Sequence, residues 1–571
     1  MDAAGSGVAP SWLAPLLLGV LFHAVVRRIE IDMFLLPIAG AFGALGIAYV
    51  CLSVRLFHAT FFGALASLSS GTALFTLGLV GSMLVYRAFF HRLRRFPGPL
   101  AARLSKLYMV RLSAKNLQLH LELKRLHEEY GDVVRTGPRE LTIFHPNAIP
   151  YIAACRKSSM YQLSDRRDER LGLIETRDIE DHRRRRRPWE MALNTKSITK
   201  YDPMMQSTIT QLLNALSSPE RAGKPINVTE WIAYLAYDLM GVVGFGNDFG
   251  QLTGGGEEHW AVKALRSQQV FFGYLKPVPW LINAAVNIPG ADAAVRPFVD
   301  YCKGLVVEKR AAGKSNTSTP SDILSWILEA YDEKSPHAPP TQEALDEDAR
   351  TIVTAGADTT SNTLTCALYH LARHPTIYTA LQTQLTALFP SGPHTFTYAA
   401  LQTAPPPLLD AIIHETLRLA PATPSGNPRV TPPSGLLIPA TATSPALLVP
   451  GDTDVYVPPY VVQRDARFFP APDAFVPGRW LAGGEEGAVP GMAGERGAFF
   501  PFQVGQYACV GKALAMWEMR SVLARVALGF DLGFAEGGGG EGFEEGMRDT
   551  FTITLGPLWM VFTEREGVRQ E

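Results

Sequence analysis

Near its C-terminus the chain reads Phe502-Gln-Val-Gly505-Gln-Tyr507-Ala-Cys509-Val-Gly511 and continues as Lys512-Ala-Leu-Ala-Met-Trp-Glu-Met-Arg520. One cysteine sits between two glycines, behind a phenylalanine and ahead of a helical run. A thiolate ahead of a helix is favoured by the macrodipole and by the unpaired N–H groups of the first turn. Gly505 permits a turn close beneath a flat ligand and lets N–H donors aim at the sulfur. Phe502 can shield the sulfur from water, and Gly511 lets the helix start lie close against a ring. These features suit a cysteine that holds a haem iron. The plainer alternative is a buried free cysteine, the common state of a lone Cys.

The stretch resembles the haem-binding loop of the cytochrome P450 family. That family usually has Arg or His two residues before the cysteine. Here the position is Tyr507, as in a number of fungal members, and one haem-propionate contact is left without its usual donor. The resemblance implies a mainly α fold with small β-sheets, the cytochrome P450 fold behind an N-terminal transmembrane anchor. It implies heme b as cofactor, with Cys509 as the axial ligand of the iron and Phe502, Gly505 and Gly511 around it. A thiolate ligand pushes electron density onto the iron and favours O–O cleavage.

The chain has 571 residues, 47% of them hydrophobic, and a formal net charge of −1. It can bury a large core, and its near-neutral charge gives no reason to expect a nucleic-acid partner. The five cysteines, Cys51, Cys155, Cys302, Cys366 and Cys509, are scattered and form no CxxC pair. That argues against a disulfide framework or a structural zinc site and fits a reducing compartment.

Residues 1–90 have membrane character. Ser11–Val26, Met33–Val54 and Thr60–Tyr86 are apolar runs that end at Arg27-Arg28, Arg55 and Arg87. A span takes about 20 apolar residues, so the second and third are long enough and the first is marginal. A signal peptide is the alternative for the first run, against which stand an acidic start, Asp2, and the lack of a clean cleavage site. With Arg27-Arg28 and the cluster Arg87, Arg92, Arg94, Arg95 on the cytosolic side, three spans put the N-terminus in the lumen and the bulk of the chain in the cytosol. Phe96-Pro97-Gly98-Pro99 reads as a stiff hinge. The expected division is a membrane anchor of three transmembrane helices at 1–90, a basic and Pro/Gly hinge at 91–105 and a haem-thiolate catalytic domain at 106–571.

Asn116–Tyr130 has helical spacing, and Val133–Thr136 with Leu141–Phe144 read as a hairpin. Arg183–Arg187, five arginines in a row before Pro188-Trp189, would in isolation be a solvated face or a targeting patch. In the family a tryptophan at this place donates to a haem propionate, which assigns Trp189 to the cofactor site. The arginine that helps it four residues later is here Leu193. One arginine of the run could compensate, or the run could dock an acidic reductase. Pro428-Arg429-Val430 resembles the strand whose arginine reaches a propionate. Gly451 and Val455-Tyr-Val457 read as a hairpin closing the small sheet.

Ala355-Gly356-Ala357-Asp358-Thr359-Thr360 lies inside an apolar helical stretch. Small residues leave room for a diatomic ligand, and Thr359 can bond back to the carbonyl four residues earlier. Asp358 and Thr359 form an acid–alcohol pair able to pass protons, and the hexapeptide resembles the family's oxygen-activation motif. The plainer alternative is a small-residue packing notch. Glu415-Thr-Leu-Arg418 puts an acid and a base three apart on a helix. In the family these two are buried and joined by an arginine, here Arg479 of Phe475-Val-Pro-Gly-Arg479-Trp480. A buried charge left unpaired is costly, so the three read as a structural brace.

The expected activity is oxidation of a lipophilic small molecule by a membrane-anchored haem-thiolate monooxygenase, in fungal secondary metabolism of the terpenoid, polyketide or alkaloid kind. No nucleotide-binding glycine motif is present, so NADPH acts indirectly, through NADPH–cytochrome P450 reductase on the same endoplasmic reticulum membrane, with cytochrome b5 as a further partner. The competing readings are a broad-range xenobiotic-oxidising enzyme, an O2-independent haem-thiolate isomerase or dehydratase, and a non-catalytic haem-binding membrane protein.

Overall fold

A computed structural model describes residues 13–27, 34–162, 170–254, 260–290, 293, 295–312, 320–441, 444–483, 488–538 and 540–565. Asp2, Arg28 and the beginnings of the first two apolar runs lie outside the described residues.

The apolar runs form three helices, α1 (Leu13–Val26), α2 (Leu35–Leu56) and α3 (Phe61–Val85). At 1.5 Å per residue the 22 residues of α2 extend about 33 Å, enough to cross a bilayer. A core helix would be covered by protein, but α2 has no buried residue. The described part of α1 has 14 residues, short of a span by itself. It packs closely on α3: a Cβ on Gly19 would meet the Phe75 carbonyl oxygen at 2.1 Å, and one on Gly78 the Leu16 oxygen at 2.1 Å. His23 bonds Ser82, and Arg27 lies over the Tyr86 ring. Both pairs have the same offset, so α1 and α3 run in the same direction.

The stretch after α3 is docked rather than free. Gly98 has φ +144, and a Cβ there would lie 2.5 Å from the Arg135 oxygen. Arg135 N donates to the Pro97 oxygen at 2.7 Å. The Arg135 side chain is fully buried and donates to the Pro138 oxygen and, at 3.2 Å, to the Arg87 oxygen.

The rest is mainly helical. The helices that frame the site are α4 (Ile179–Ala192), α5 (Val228–Phe245), α6 (Trp260–Leu275), α7 (Gln342–Arg373), α8 (Pro407–Leu419) and α9 (Lys512–Gly529). They pack around one large apolar core to which α5, α7 and α9 contribute most. The 32-residue α7 starts at a Thr341 cap and crosses the whole core. The helix expected from Asn116 begins at Leu119, because Asn116 and Leu117 take left-handed φ values of +62 and +56.

A five-stranded sheet flanks the helices. Its strands are β1 (Val133–Gly137), β2 (Glu140–Ile143), β3 (Arg156–Lys157), β4 (Arg429–Val430) and β5 (Asp454–Tyr456), in the order β1-β2-β5-β4-β3. β1 and β2 form the expected hairpin. The Val455–Val457 run is not half of a hairpin: β5 is the central strand, parallel to β2 and antiparallel to β4. The hairpin in this region is Leu436–Ile438 with Leu447–Val449. Gly451 packs against the Pro433 carbonyl, where a Cβ would meet oxygen at 2.1 Å.

Candidate active site

The cysteine loop enters as a single 3₁₀ turn, Gly505–Tyr507, and leaves through Gly511 into α9. Gly505 has φ +72, the left-handed region that glycine adopts without penalty. Cys509 N donates to the Phe502 oxygen at 2.8 Å, which closes the loop. The Phe502 ring packs against the main core and carries the Lys512 ammonium 5.6 Å from its centre. Burial raises the pKa of the Cys509 thiol, while the N–H groups of Gly511 and Lys512 and the Arg186 charge act the other way. The side chain is accessible although protein surrounds it. It therefore opens on an internal void rather than on bulk water. A Cβ on Gly511 would sit 3.8 Å from the sulfur.

Helix α4 presents His182 and Arg186 to this loop, and Trp189 shares their helix face at the i, i+4, i+7 spacing. The His182 ring meets the Tyr507 ring edge-on at 4.7 Å. Arg186 donates to the Ala508 oxygen at 2.7 Å. Trp189 is buried. The arginine run is thus not one solvated face. Arg185 is fully buried, donating to Thr176 and to the Leu171 oxygen, with Asp348 at 3.7 Å. Arg184 pairs with Asp181 and donates to the Ala338 oxygen, and only Arg183 and Arg187 are exposed. Leu193 is buried in the apolar core and offers no donor.

From the other side come β3 and β4. Arg429 is buried and donates to the Pro428 oxygen at 3.1 Å, its guanidinium 4.7 Å from the centre of the Tyr507 ring. Among the described residues, Arg429 Nε and Tyr507 Oη beside the cysteine loop, and Trp189 Nε1 on the α4 face that meets it, are buried donors with no hydrogen-bond partner. Buried polar groups are ordinarily paired. Donors left open beside a void into which a cysteine opens fit a flat group with a metal at its centre and acceptor oxygens at its edge. The residues present therefore fit the haem expected from the sequence.

On α7, Thr359 Oγ1 donates to the Ala355 oxygen at 2.9 Å, the back-bond expected from the hexapeptide. Ala355 is exposed in the middle of a helix that is otherwise largely covered, so this face of α7 also lines open space. A Cβ on Gly356 would strike the Met240 side chain at 2.4 Å, so part of the small-residue signal reflects packing against α5. Asp358 is turned away from Thr359. Its carboxylate accepts from Tyr237 Oη of α5 at 2.6 Å and from Gln269 Nε2 of α6. Burial raises the Asp358 pKa, against these two hydrogen bonds.

The brace is assembled in full. Glu415 binds Arg418 bidentately at 2.9 Å and Arg479 at 3.0 Å, all three side chains being fully buried. Arg418 also donates to the Gln463, Pro472 and Ala474 oxygens, and Arg479 to those of Met492 and Ala471. Trp480 Nε1 adds a bond to Glu415 Oε2 at 2.9 Å. Gln463 then accepts from Phe500 N, which links the brace to the residues leading into the cysteine loop.

Three groups near the site carry no signal in the motifs. Tyr237 and Gln269 come from helices with no recognisable pattern, and only their contact with Asp358 reveals them. Glu518 of α9 is fully buried, with burial pushing its pKa up to about 8 against a hydrogen bond from Thr360. A lone acid in an apolar helix was its available sign. In sequence, a cytochrome P450 family model matches residues 97–557. The chain is 36% identical over 498 residues to the cytochrome P450 monooxygenase orf5 of Eupenicillium brefeldianum, covering 86% of this chain and 96% of that one. It is 34% identical over 560 residues to the cytochrome P450 monooxygenase FCK2 of Fusarium pseudograminearum, with 96% of each covered. It is 30% identical over 497 residues to the tryprostatin B 6-hydroxylase of Aspergillus fumigatus, covering 86% of this chain and 84% of that one. The fold is similar to that of the cytochrome P450DA heme domain, with a TM-score of 0.65 at 18% identity, covering 83% of this chain and 98% of that one.

Proposed function

The chain belongs to the cytochrome P450 family, and from that membership we propose that it is a membrane-anchored haem-thiolate monooxygenase of fungal secondary metabolism. The observation that carries the assignment is the accessible Cys509, opening on an interior void beside open buried donors. Haem bound there would supply oxygen activation, the chemistry by which a monooxygenase puts one atom of O2 into an organic substrate and reduces the other to water with two electrons from NADPH.

In this reading the Cys509 sulfur would hold the iron, and the Gly511 and Lys512 N–H groups would temper the charge on it. Trp189 and Arg429 hold the carboxylates at the edge of the group. Phe502 keeps water from the sulfur. Gly505 and Gly511 allow the loop its turn and its close approach. Thr359, whose hydroxyl donates to the Ala355 carbonyl, keeps oxygen lone pairs free to accept a hydrogen bond from a water and hold that water in place as the proton donor. Asp358 acts behind it: Tyr237 and Gln269 fix its carboxylate, so it sets the local water and field rather than touching Thr359 directly.

Electrons come from a separate reductase, for which NADPH–cytochrome P450 reductase is the candidate, with cytochrome b5 as a second donor. Arg183 and Arg187, exposed on the helix whose Arg186 meets the cysteine loop, are suited to an acidic docking partner. α2 and α3 favour a multi-pass anchor in the endoplasmic reticulum membrane with the catalytic domain cytosolic, and a lipophilic substrate that partitions into that membrane. The similarity to a tryprostatin B hydroxylase supports hydroxylation as the reaction type.

The test is turnover by the full chain in vesicles with the reductase, NADPH and ¹⁸O₂. One labelled oxygen per product molecule and strict NADPH dependence are expected. Product formed at full yield without NADPH would identify an isomerase or dehydratase instead.

A further inference from the structure

We infer that Lys157 and Tyr507 together bind a haem propionate, in place of the single Arg or His that the family has two residues before its cysteine. The inference rests on the haem-thiolate reading and assigns a cation that the sequence does not reveal. Lys157 and Arg429 are direct partners across the antiparallel pair of β3 and β4. Like charges opposite one another in a sheet are destabilising, and both residues are buried. Among the described residues no carboxylate lies within ion-pair distance of either. Glu175, whose charge reaches Lys157, is itself bound by Arg350 at 2.8 Å. Two adjacent buried cations with no anion among the described residues are costly unless one is supplied to them.

The Tyr507 ring joins them. The Lys157 ammonium lies 4.8 Å and the Arg429 guanidinium 4.7 Å from its centre, so the ring face screens each cation from the other. Lys157 Nζ donates to the Leu173 and Ile174 oxygens at 3.2 and 2.8 Å, which leaves the third N–H of an ammonium open. The Tyr507 hydroxyl lies near the Lys157 amide, outside hydrogen-bond geometry. An amide N–H could only donate to that oxygen, so the hydroxyl proton has no acceptor in either case.

Cations outweigh anions at this spot, although the charge of Glu175 reaches Lys157 and that of Asp178 reaches Tyr507. Burial and the charges of Lys157 and Arg186 push the His182 imidazole down to about 2, so it stays neutral against the Tyr507 ring. Burial and Arg429 hold the Lys157 ammonium well below its usual range, a penalty that a carboxylate would relieve. An arginine at position 507 would add a further cation to this pair. The charge has instead moved from the loop to the strand, and the loop keeps a neutral directional donor.

The test compares haem release from the full-length holoenzyme to apomyoglobin for wild type, Lys157→Met, Lys157→Arg and Tyr507→Phe. Each is loaded with ordinary haem and, in parallel, with haem dimethyl ester, whose propionates carry no charge. With ordinary haem, Lys157→Met is expected to release haem about ten- to a hundredfold faster, the scale of a lost charge-assisted hydrogen bond, and Tyr507→Phe about three- to tenfold faster. Lys157→Arg recovers most of the loss, and with the ester the four proteins release at similar rates. Wild-type release from Lys157→Met and Tyr507→Phe, or the same variant-to-wild-type ratios with the ester, overturns the inference. Tyr507→Phe removes one oxygen from a packed ring and keeps the test decisive if Lys157→Met does not fold. The carbon-monoxide spectrum of each protein reads the thiolate bond separately. A wild-type protein without a thiolate-type band would remove the premise along with the inference, whereas a thiolate-type band with unchanged release removes the inference alone.

Discussion

Two buried clusters of charge adjoin the cysteine loop, one at Tyr507 and one through Gln463 and Phe500, and they are finished to different degrees. Around Glu415 every polar group is spoken for: one carboxylate, two guanidinium groups, an indole and a set of backbone carbonyls satisfy one another. Around Tyr507 the buried cations and donors are incomplete, with Trp189 Nε1, Arg429 Nε and the Tyr507 hydroxyl open. The first cluster stabilises the fold with nothing added. The second has room for an anionic group, as the proposed cofactor seat requires. The contrast between these two clusters is what the proposal turns on.

The largest effect should come from breaking the closed cluster. Arg479→Ala strips Glu415 of one of its two cations and exposes no water to replace it, at a cost of about 3–5 kcal/mol. Little haem-loaded protein should be recovered, and the apoprotein should be destabilised as much as the holoprotein. Normal haem content in purified Arg479→Ala would break the distinction between the clusters.

Glu518 gives the next effect, through pH. Its pKa in the folded protein, about 8, lies above the ordinary 4.5. The unfolded chain therefore ionises first, and the stability this neutral carboxyl preserves is complete below pH 4.5 and is lost as pH rises to about 8. The loss is on the order of a few kcal/mol. Glu518→Gln should flatten this fall and melt above wild type at pH 8, as scanning calorimetry at pH 6 and pH 8 would detect. An unchanged pH profile would contradict it.

Opening the unfinished cluster further should cost less and only in the holoprotein. If the open Trp189 Nε1 donates to the cofactor as proposed, Trp189→Phe should accelerate haem release about fivefold, on the scale of about 1 kcal/mol, with apoprotein melting unchanged. Equal destabilisation of apo and holo forms would mean that Trp189 belongs to the skeleton. Smallest on stability is Thr359→Ala, expected within about 0.5 kcal/mol of wild type, because Thr359 Oγ1 serves only its own helix. Its effect should fall on chemistry, with less product formed per NADPH consumed. Unchanged coupling would make the hexapeptide a packing notch.

The sequence made the cysteine loop, the hexapeptide and the brace legible because each is a local pattern, or a pair of local patterns, whose residues carry their role in their spacing. It hid what depends on register and long-range contact. Lys157 faces Arg429 only because two short strands pair in one register. Tyr237 and Gln269 turn Asp358 away from Thr359 only because α5 and α6 both reach α7. The arginine run reads as one basic face, yet helical geometry buries Arg185, ties Arg184 and Arg186 to backbone oxygens, and exposes two. The Val455–Val457 run reads as a hairpin edge because nothing local tells a central strand from an outer one.

If Cys509 holds the iron, the carbon-monoxide difference spectrum of the reduced protein reports that bond directly. Wild type should give the long-wavelength band of a thiolate-bound haem, and Cys509→Ser should lose it. A Cys509→Ser protein that keeps the band would contradict the account.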